Sequence, residues 1–325
     1  MNDTNTAAAL LAGFPEALQA NIERHSHSQV PLIDEITGYL LNGGKRMRAR
    51  LAWLIGHAFG VRLSDTQRRQ LLDLGCAIEF IHLATLIHDD VVDQSLLRRG
   101  KQSAHLRWGV SEAVLVGDFV YSRAFELLVE MGDQRVLALT ARATNQLAEG
   151  EVEQLLDASR ADRDEQNYYR VIEKKTGALF GCACAAASSI GGADQQICED
   201  IYNLGIGVGV AFQIIDDLID YKGQADGMGK NPGDDYREGK YTLPLILLLQ
   251  QPDQGVRARK LIAEPDDAHL AELTGLMREH GIFDACTAAA RNRLAPTIKL
   301  LHSLPENEAK SLLLEEMDGF LQRTG

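Results

Sequence analysis

Two apolar segments of this chain each end in three aspartates, and this repeated feature constrains the fold more than any other. The first segment, EFIHLATLIHDDVVD, runs from Glu79 to Asp93 and carries Asp89, Asp90 and Asp93. Residues four apart on a helix are neighbours, about 5–6 Å between Cβ atoms, so Asp89 and Asp93 share one helix face. Aspartate is a poor helix former and like charges one turn apart repel, so a cationic partner has to offset this arrangement.

The second copy is FQIIDDLID, from Phe212 to Asp220, in which Asp216 and Asp220 again share a face beside Asp217. One such pair on a helix is more often a solvated helix end than a site. Two acidic ends in one apolar helical chain are explained best if both face a single polar cavity that holds hard cations. Carboxylate oxygens without histidine or cysteine select Mg²⁺, which binds through one or two carboxylates plus substrate phosphates.

The composition favours an all-α protein with one large domain over residues 1–325. Apolar residues make up 45% of the chain and support a large core, while only 8 residues are proline. The formal charge of −13 argues against nucleic acid as a partner. The polar N-terminus shows no signal-peptide pattern and no apolar run comes close to 18 residues, so the sequence predicts a cytoplasmic protein.

Helical periodicity predicts three further helices that bear on the acid clusters. The first spans about 134–158 and carries Glu149 and Glu153 on a face that is either solvated or turned toward a polar cavity. The second is one continuous helix over about 165–190, and the third spans about 194–221 and ends in the second acid cluster. These helices are expected to form the walls of the site.

Basic residues cluster where a helix is expected to begin. In GGKRMR the two glycines stop one helix, and Lys45 and Arg48 lie in the first turn of the next. Cations at a helix N-terminus oppose the macrodipole, so this turn is unfavourable unless an anion lies among them. A solvated basic loop would explain the stretch equally well in isolation. Beside two acid clusters that need a polyanionic partner, a diphosphate site is the better interpretation.

Other basic side chains flank the acid clusters in the same way. Lys175 borders an apolar helical segment, where it can either extend to solvent or bind a phosphate. The glycine-rich stretch 223–239 is long enough to predict a closing flap, since loops of more than about 12–15 residues are usually functional or disordered. The basic groups occur at four places, namely Lys45/Arg48, Arg98/Arg99, Lys175 and Lys230/Lys240.

Basic side chains from four places are more than one phosphate needs, and they fit two diphosphates. Apolar helix walls then suggest that the rest of the substrate is hydrocarbon. The combination predicts cleavage of a carbon–oxygen bond of an allylic diphosphate, with Mg²⁺ and basic side chains stabilising the departing diphosphate.

Six sequence blocks, in order, resemble the trans-isoprenyl (polyprenyl) diphosphate synthases. They are GGKRMR, IHDDVVD, RRGK, Lys175-Thr176, FQIIDDLID and the GK…DD…GK loop, and the resemblance covers about residues 30–250. The likeness is greatest to the long-chain, octaprenyl-type branch. It implies an all-α bundle around a central apolar cavity, a homodimer, peripheral membrane contact for product release and a role in isoprenoid and quinone biosynthesis.

The resemblance also implies roles for individual residues. Three Mg²⁺ ions on the allylic diphosphate would be held by Asp89, Asp93 and Asp216, helped by Asp90, Asp217 and Asp220. The allylic diphosphate would be bound by Arg98, Lys175, Lys230 and Lys240, and isopentenyl diphosphate by Lys45, Arg48, His82 and Arg99. Thr176 and Gln213 lie where the family places dipoles that stabilise the allylic cation. The isopentenyl double bond attacks this cation and then loses a proton.

Product length is predicted from the residues that precede the first acid cluster. A helix rises about 5.4 Å per turn, close to the span of one extended isoprene unit. Ala84 and Thr85 lie one turn below Asp89, and Ile81 lies two turns below. Small residues there let the tail pass, so we expect growth from farnesyl or geranylgeranyl diphosphate to about forty carbons. The helix over 119–131 is a candidate for the tunnel floor.

Other functions compete with this interpretation. A terpene cyclase or head-to-head synthase would not need the isopentenyl site that Lys45, Arg48, His82 and Arg99 provide. A non-catalytic partner subunit should lack acids from a cluster, whereas both clusters are complete. A medium-chain product of about C20–C30 stays open, and a scaffold protein has no reason to bury six carboxylates.

Overall fold

The computed structural model describes residues 10–41, 43–60, 62–98, 100–158, 164–223 and 233–322. In these ranges the chain is all-α apart from one short hairpin, as predicted, and one continuous core of buried side chains extends from Phe14 to Phe320. The predicted residues Arg99 and Lys230, and most of the predicted flap, lie outside the described residues.

The helices in chain order are α1 (Phe14–Ser26), α2 (Pro31–Leu40), α3 (Met47–Phe59), α4 (Asp65–Val92), α5 (Ala104–Trp108), α6 (Val110–Glu130), α7 (Gln134–Ala158), α8 (Glu165–Ile172), α9 (Ala178–Ile190), α10 (Gln195–Lys222), α11 (Asp234–Arg237), α12 (Leu243–Leu249), α13 (Gln254–Ala263), α14 (Asp267–Glu279), α15 (Ile282–Ser303) and α16 (Glu308–Gln322). Strands β1 (Leu97–Arg98) and β2 (Lys101–Gln102) pair antiparallel after α4.

The two helices that carry the acid clusters are also the two longest, at 28 residues each. Helix α4 begins with a capping box between Ser64 and Gln67, and α10 begins with Asp194, whose side chain accepts the backbone N–H of Ile197. These caps fix where each helix starts. The acids therefore fall in the last turns.

Helices α4 and α10 are also long and apolar enough to meet a length-and-composition test for a membrane span. In their most apolar windows, however, 67% and 61% of the residues are buried inside the fold. The core helices of a globular fold meet the same test, so the finding is weak support for a span.

Glycines bring α9 and α10 into backbone contact next to the site. A Cβ atom at Gly205 would lie 2.6 Å from Cα of Gly181, and one at Gly209 would lie 2.8 Å from Cα of Gly177. Real Cβ atoms do not approach so closely, so a larger residue at either position would push the helices apart. This contact places the residues just before α9 opposite the end of α10.

Two local elements differ from the sequence prediction. The expected continuous helix over 165–190 is interrupted by a π-helical turn, Glu173–Gly177, between α8 and α9. A π-turn inserts an extra residue, and such turns are frequent at functional sites. The sequence predicts a loop at Arg98 and Lys101, whereas these two residues pair in the β1–β2 hairpin. Both differences lie at the cavity described next.

Candidate active site

A cavity of about 980 Å³ lies between the acidic ends of α4 and α10. Asp89 and Asp93 line it from α4, and Asp216 and Asp217 line it from α10. The remaining walls come from the N-terminal turn of α3, from α7, from α8 with the π-turn, and from the segment that leads into α12. The two acid clusters thus share one hollow, as the sequence predicted.

Most of the predicted site residues border this cavity. Those that line it are Lys45, Arg48, His82, Thr85, Asp89, Asp93, Arg98, Lys175, Thr176, Gln213, Asp216, Asp217 and Lys240. Four predicted residues are buried but are not among the lining residues, namely Ile81, Ala84, Asp90 and Asp220.

Basic side chains pair with the first acid cluster. The Nζ atom of Lys240 lies 2.7 Å from Oδ2 of Asp93 and 2.7 Å from Oε2 of Glu238. Burial disfavours the charged form of Lys240, but the two carboxylates outweigh it and raise the pKa of the lysine. Arg98 donates from Nε to Oδ1 of Asp90 at 3.0 Å. Burial raises the pKa of Asp90, and Arg98 opposes that shift.

Lys175 is shared between an acid of the cluster and an acid of α7. Its Nζ atom lies 2.6 Å from Oε1 of Glu151 and 3.6 Å from Oδ2 of Asp89. Burial raises the pKa of Glu151 to about 7, Asp89 and Asp93 add to the shift, and Lys175 opposes it. The first cluster is therefore neutralised by lysines that could also bind a diphosphate.

Neutral donors hold Asp217 in the second acid cluster. The Tyr168 hydroxyl donates to Oδ2 of Asp217 at 2.6 Å, and the Gln213 amide donates to Oδ1 at 2.8 Å. Burial raises the pKa of Asp217, while these two hydrogen bonds oppose the shift. Oδ2 of Asp220 accepts the backbone N–H of Asp235 at 3.2 Å, and Asp220 also interacts electrostatically with Arg237.

The GGKRMR stretch forms a rigid basic turn at the start of α3. Gly43 and Gly44 both have φ of 96°, and Arg46 adopts the left-handed conformation with φ of 48°. A non-glycine residue in this conformation is uncommon, and here Arg46 is held by Leu41 O at 2.5 Å and by Glu79 at 3.3 Å. The turn presents Lys45 to the cavity.

Arg48 has the features of an anion-binding group. Its guanidinium lies 4.5 Å from the ring centroid of Phe180, and its buried Nε has no hydrogen-bond partner among the described residues. Burial lowers the pKa of Arg48 to about 10, and Glu79 opposes that shift. A buried donor without an acceptor costs free energy, so an anion bound here would remove that cost.

The acids fit a hard cation only together with other oxygen ligands. Among the described residues, no three side chains of His, Cys, Asp or Glu come together as a complete metal site. The side chains of Asp89 and Asp93 are 14% and 19% exposed, so each can still reach an ion in the cavity. Mg²⁺ commonly binds through one or two carboxylates plus phosphate oxygens and water, and this donor set suits that mode.

Comparison with known proteins agrees with this geometry. A family model described as polyprenyl synthetase matches residues 30–278. The chain belongs to the polyprenyl synthetase family. It is a trans-polyprenyl diphosphate synthase and hence a prenyltransferase.

Individual relatives cover nearly the whole chain. An octaprenyl diphosphate synthase of Haemophilus influenzae is 37% identical over 305 residues, 92% of this chain and 91% of the relative. An all-trans-nonaprenyl-diphosphate synthase (geranyl-diphosphate specific) of Rhodobacter capsulatus is 37% identical over 301 residues, 92% and 91% of the two chains. The solved polyprenyl synthase of Caulobacter crescentus, complexed with calcium and isoprenyl diphosphate, has a TM-score of 0.91 and 35% identity, covering 99% of this chain and 98% of that one.

In this polyprenyl synthetase the predicted chain-length residues lie on two different faces of α4. Thr85 lines the cavity, whereas Ile81 and Ala84 are fully buried. Ile81 and Ala84 fall seven and four residues before His88, so they share a helix face with it. On this face His88 packs closely against α6, since a Cβ atom added at Gly117 would lie 2.3 Å from Nε2 of His88. None of the described residues of α6, the helix expected to form the tunnel floor, lines the cavity.

Sequence reasoning missed several polar residues of the site, among them Glu79, Glu151, Tyr168 and Glu238. The helix over 134–158 was expected to turn Glu149 and Glu153 toward either solvent or a cavity. They pair with Lys174 instead, and Glu151 and Gln154 line the cavity. Residues three or four apart on a helix share a face, so the spacing of Glu151 and Gln154 could have identified the face of α7 that lines the cavity.

Proposed function

We propose that this polyprenyl synthetase makes a long-chain product of about forty carbons for quinone side chains. It condenses isopentenyl diphosphate head-to-tail onto farnesyl or geranylgeranyl diphosphate and depends on Mg²⁺. The observation that carries the proposal is one cavity in which acids from α4 and α10 and basic side chains from α3, the hairpin, the π-turn and the segment before α12 converge.

Different basic residues of the protein bind the two diphosphate substrates. The buried Arg48 guanidinium, with Lys45 and His82, binds isopentenyl diphosphate near the start of α3. Arg98, Lys175 and Lys240 bind the allylic diphosphate once it displaces their present carboxylate partners. The predicted contributions of Arg99 and Lys230 belong to this proposal as well.

The acids provide the ligands for the metal. Asp89, Asp93 and Asp216 are best placed to hold Mg²⁺, because they reach the cavity and belong to both clusters. When bound, Mg²⁺ neutralises charge that develops on the departing diphosphate. Asp90 accepts from Arg98 and Asp220 accepts the backbone N–H of Asp235, and both residues contribute by positioning these groups beside the site.

Product length is the finer part of the proposal. Octaprenyl- and nonaprenyl-forming relatives at 37% identity support a long product. The residues one turn below Asp89, Ala84 and Thr85, are small or of moderate size, so neither of them places an aromatic ring there. A medium-chain product of about C20–C30 is the alternative, and a non-catalytic partner subunit is the second alternative.

One assay tests the proposed reaction. Purified protein is incubated with radiolabelled isopentenyl diphosphate, farnesyl or geranylgeranyl diphosphate and Mg²⁺, and products are separated by chain length. Products of about forty carbons support the proposal, and products that stop at C20–C30 favour the medium-chain alternative. Turnover that appears only after a second subunit is added would favour the partner-subunit alternative.

A second test addresses the path of the tail. Ala84→Phe and Thr85→Tyr each place a ring one turn below Asp89, and we expect both to shorten the product. Thr85→Tyr should act directly in the cavity, whereas Ala84→Phe should act only if the tail opens the contact between α4 and α6. An unchanged product distribution in both variants would refute this path.

The proposal also includes the assembly of the protein and its location in the cell. Helix α6 leaves Leu115 and Val129 at 65% and 63% exposure, which favours a homodimer that covers this face. Light scattering of the purified protein, with Leu115→Glu as the variant, tests this. We further propose a cytoplasmic enzyme that contacts the membrane only to release product, which fractionation and vesicle sedimentation would test.

A further inference from the structure

A chain of four side chains links α8 to the centre of the cavity. Tyr168 donates to Oδ2 of Asp217 at 2.6 Å, and Nε2 of Gln213 donates to Oδ1 of Asp217 at 2.8 Å. Oγ1 of Thr176 in turn donates to Oε1 of Gln213 at 2.8 Å. Tyr168, Asp217 and Thr176 are all buried, at 7%, 3% and 7% exposure. The chain is thus shielded from solvent along most of its length.

The carboxylate gives this chain a direction. Asp217 accepts from both of these donors, so Gln213 turns its NH₂ group toward Asp217 and its carbonyl toward Thr176. The Thr176 hydroxyl then has to donate to Gln213, and its lone pairs point elsewhere. Because Thr176 lines the cavity, its oxygen lone pairs are available there as the negative end of a dipole.

We propose that Tyr168 is a positioning residue, which fixes Asp217 and through Gln213 sets the orientation of the Thr176 hydroxyl toward the reacting carbon. The inference rests on the proposed function, because it concerns how the same site stabilises an allylic cation. Tyr168 borders the cavity, but its hydroxyl is committed to Asp217. The tyrosine acts on the reaction through the chain, without bonding to the substrate.

The same geometry separates Asp217 from Asp216. Both oxygens of Asp217 already accept short hydrogen bonds from neutral donors, and the side chain is nearly inaccessible. Asp216 lines the cavity and is only half-buried. Asp217 is therefore the anchor of the chain, and cation binding falls to Asp216.

The test begins with Tyr168→Phe, which removes one hydroxyl and keeps the ring. We expect kcat to fall about 10- to 30-fold, the range typical when an outer hydrogen-bond partner is lost, with KM for both substrates within about threefold of wild type. The matched control is Tyr202→Phe, which removes a hydroxyl that donates to Oε1 of Gln146 at 2.8 Å. Neither of these two residues lines the cavity. The control should keep wild-type kcat.

A readout that does not depend on turnover accompanies the kinetics. Calorimetric titration with pyrophosphate in Mg²⁺ buffer should give affinities within about threefold of wild type for Tyr168→Phe and for Asp217→Asn, because the hydrogen bonds of the chain occupy both residues. This expectation departs from the sequence-based one, in which Asp217 helps to hold Mg²⁺. If Asp217→Asn weakens this binding more than about tenfold, Asp217 is a cation ligand and the inference is overturned. Circular dichroism melting of each variant shows whether it is folded under the assay conditions.

A double-mutant cycle decides whether Tyr168 and Thr176 act together. If Tyr168 affects the reaction only through the hydrogen-bond chain to Thr176, Tyr168→Phe combined with Thr176→Val should lose no more kcat than Thr176→Val alone. Multiplying losses, or wild-type kcat in Tyr168→Phe, would overturn the inference. Wild-type protein with no activity on any allylic diphosphate overturns the proposed function instead, so the two failures are distinguishable.

Discussion

The two acid clusters have the same spacing but different surroundings. In the α4 cluster, charged Arg98, Lys175 and Lys240 neutralise the aspartates. In the α10 cluster, the buried Asp217 accepts hydrogen bonds from a hydroxyl and an amide, both neutral, while Asp220 accepts a backbone N–H and interacts electrostatically with Arg237. One motif in the sequence therefore produces two different sites. The α4 cluster is a set of ion pairs that must rearrange, whereas Asp217 is held by neutral donors before any ligand arrives.

The difference has a consequence for ligand binding. A cation that binds Asp93 must compete with Lys240, so metal alone should bind the α4 cluster weakly. A diphosphate offers the displaced lysine a new partner, so metal and diphosphate should strengthen each other's binding. Asp217 in the α10 cluster needs no such exchange, because its neutral donors can remain in place.

The largest expected effect is loss of turnover when either cluster loses an acid that faces the cavity. We expect Asp89→Asn and Asp216→Asn each to lower kcat on the order of 10³-fold, comparable to removing a main electrostatic contact to the transition state. The matched control is Asp200→Asn, an exposed aspartate early in α10. If one variant kept a tenth of wild-type activity, only one cluster would be essential and the comparison would fail.

Stability should distinguish the middle acids of the two clusters. Asp90 is 3% exposed and accepts from Arg98, so Asp90→Asn removes the carboxylate that this half-buried guanidinium bonds and should lower the free energy of unfolding by about 2 kcal/mol. Asp217→Asn loses only an acceptor for a neutral amide, so we expect about 1 kcal/mol. Urea denaturation in EDTA without substrate measures both. Equal losses would show that the charge of Arg98 is unimportant.

Much of this site could be predicted from the sequence, and the limits have physical causes. The shared cavity follows from apolar periodicity ending in acids, because a helix face is set by spacing alone. The roles of His82, Thr176 and Gln213 come from the resemblance to the family. The partner of Asp90 and the role of Tyr168 do not follow, since each depends on which helices pack together. The π-turn that directs Lys175 and Thr176 inward has no local signal, because EKKTG is compatible with an ordinary helix.

The ion-pair exchange predicts opposite effects of one substitution on two ligands. Lys240→Gln removes the partner of Asp93, so Mg²⁺ alone should bind about threefold more tightly, while KM for the allylic diphosphate should rise about 10-fold. Calorimetry with Mg²⁺ and steady-state kinetics measure the two effects. Lys222→Gln, at the end of α10 and outside the lining residues, is the control. Weaker Mg²⁺ binding in Lys240→Gln would contradict the exchange.

The smallest expected effect is a pH dependence of stability from Glu151, which faces the α4 cluster. Burial raises the pKa of Glu151 from 4.5 to about 7, with added repulsion from Asp89 and Asp93. The native protein therefore binds more protons than the unfolded chain between those pH values. The contribution of Glu151 to stability accordingly falls as the pH rises through this window.

Glu151→Gln removes that titration, so the variant should gain stability relative to wild type between pH 5.5 and pH 8, by on the order of 1 kcal/mol. Urea denaturation at both pH values in EDTA measures the difference, and Glu149→Gln, an exposed acid of the same helix, is the control. A gain at pH 8 would mean that the α4 cluster carries more negative charge than its lysines neutralise, which is the condition under which it attracts metal. A difference that does not change with pH would mean that Lys175 already compensates Glu151 fully.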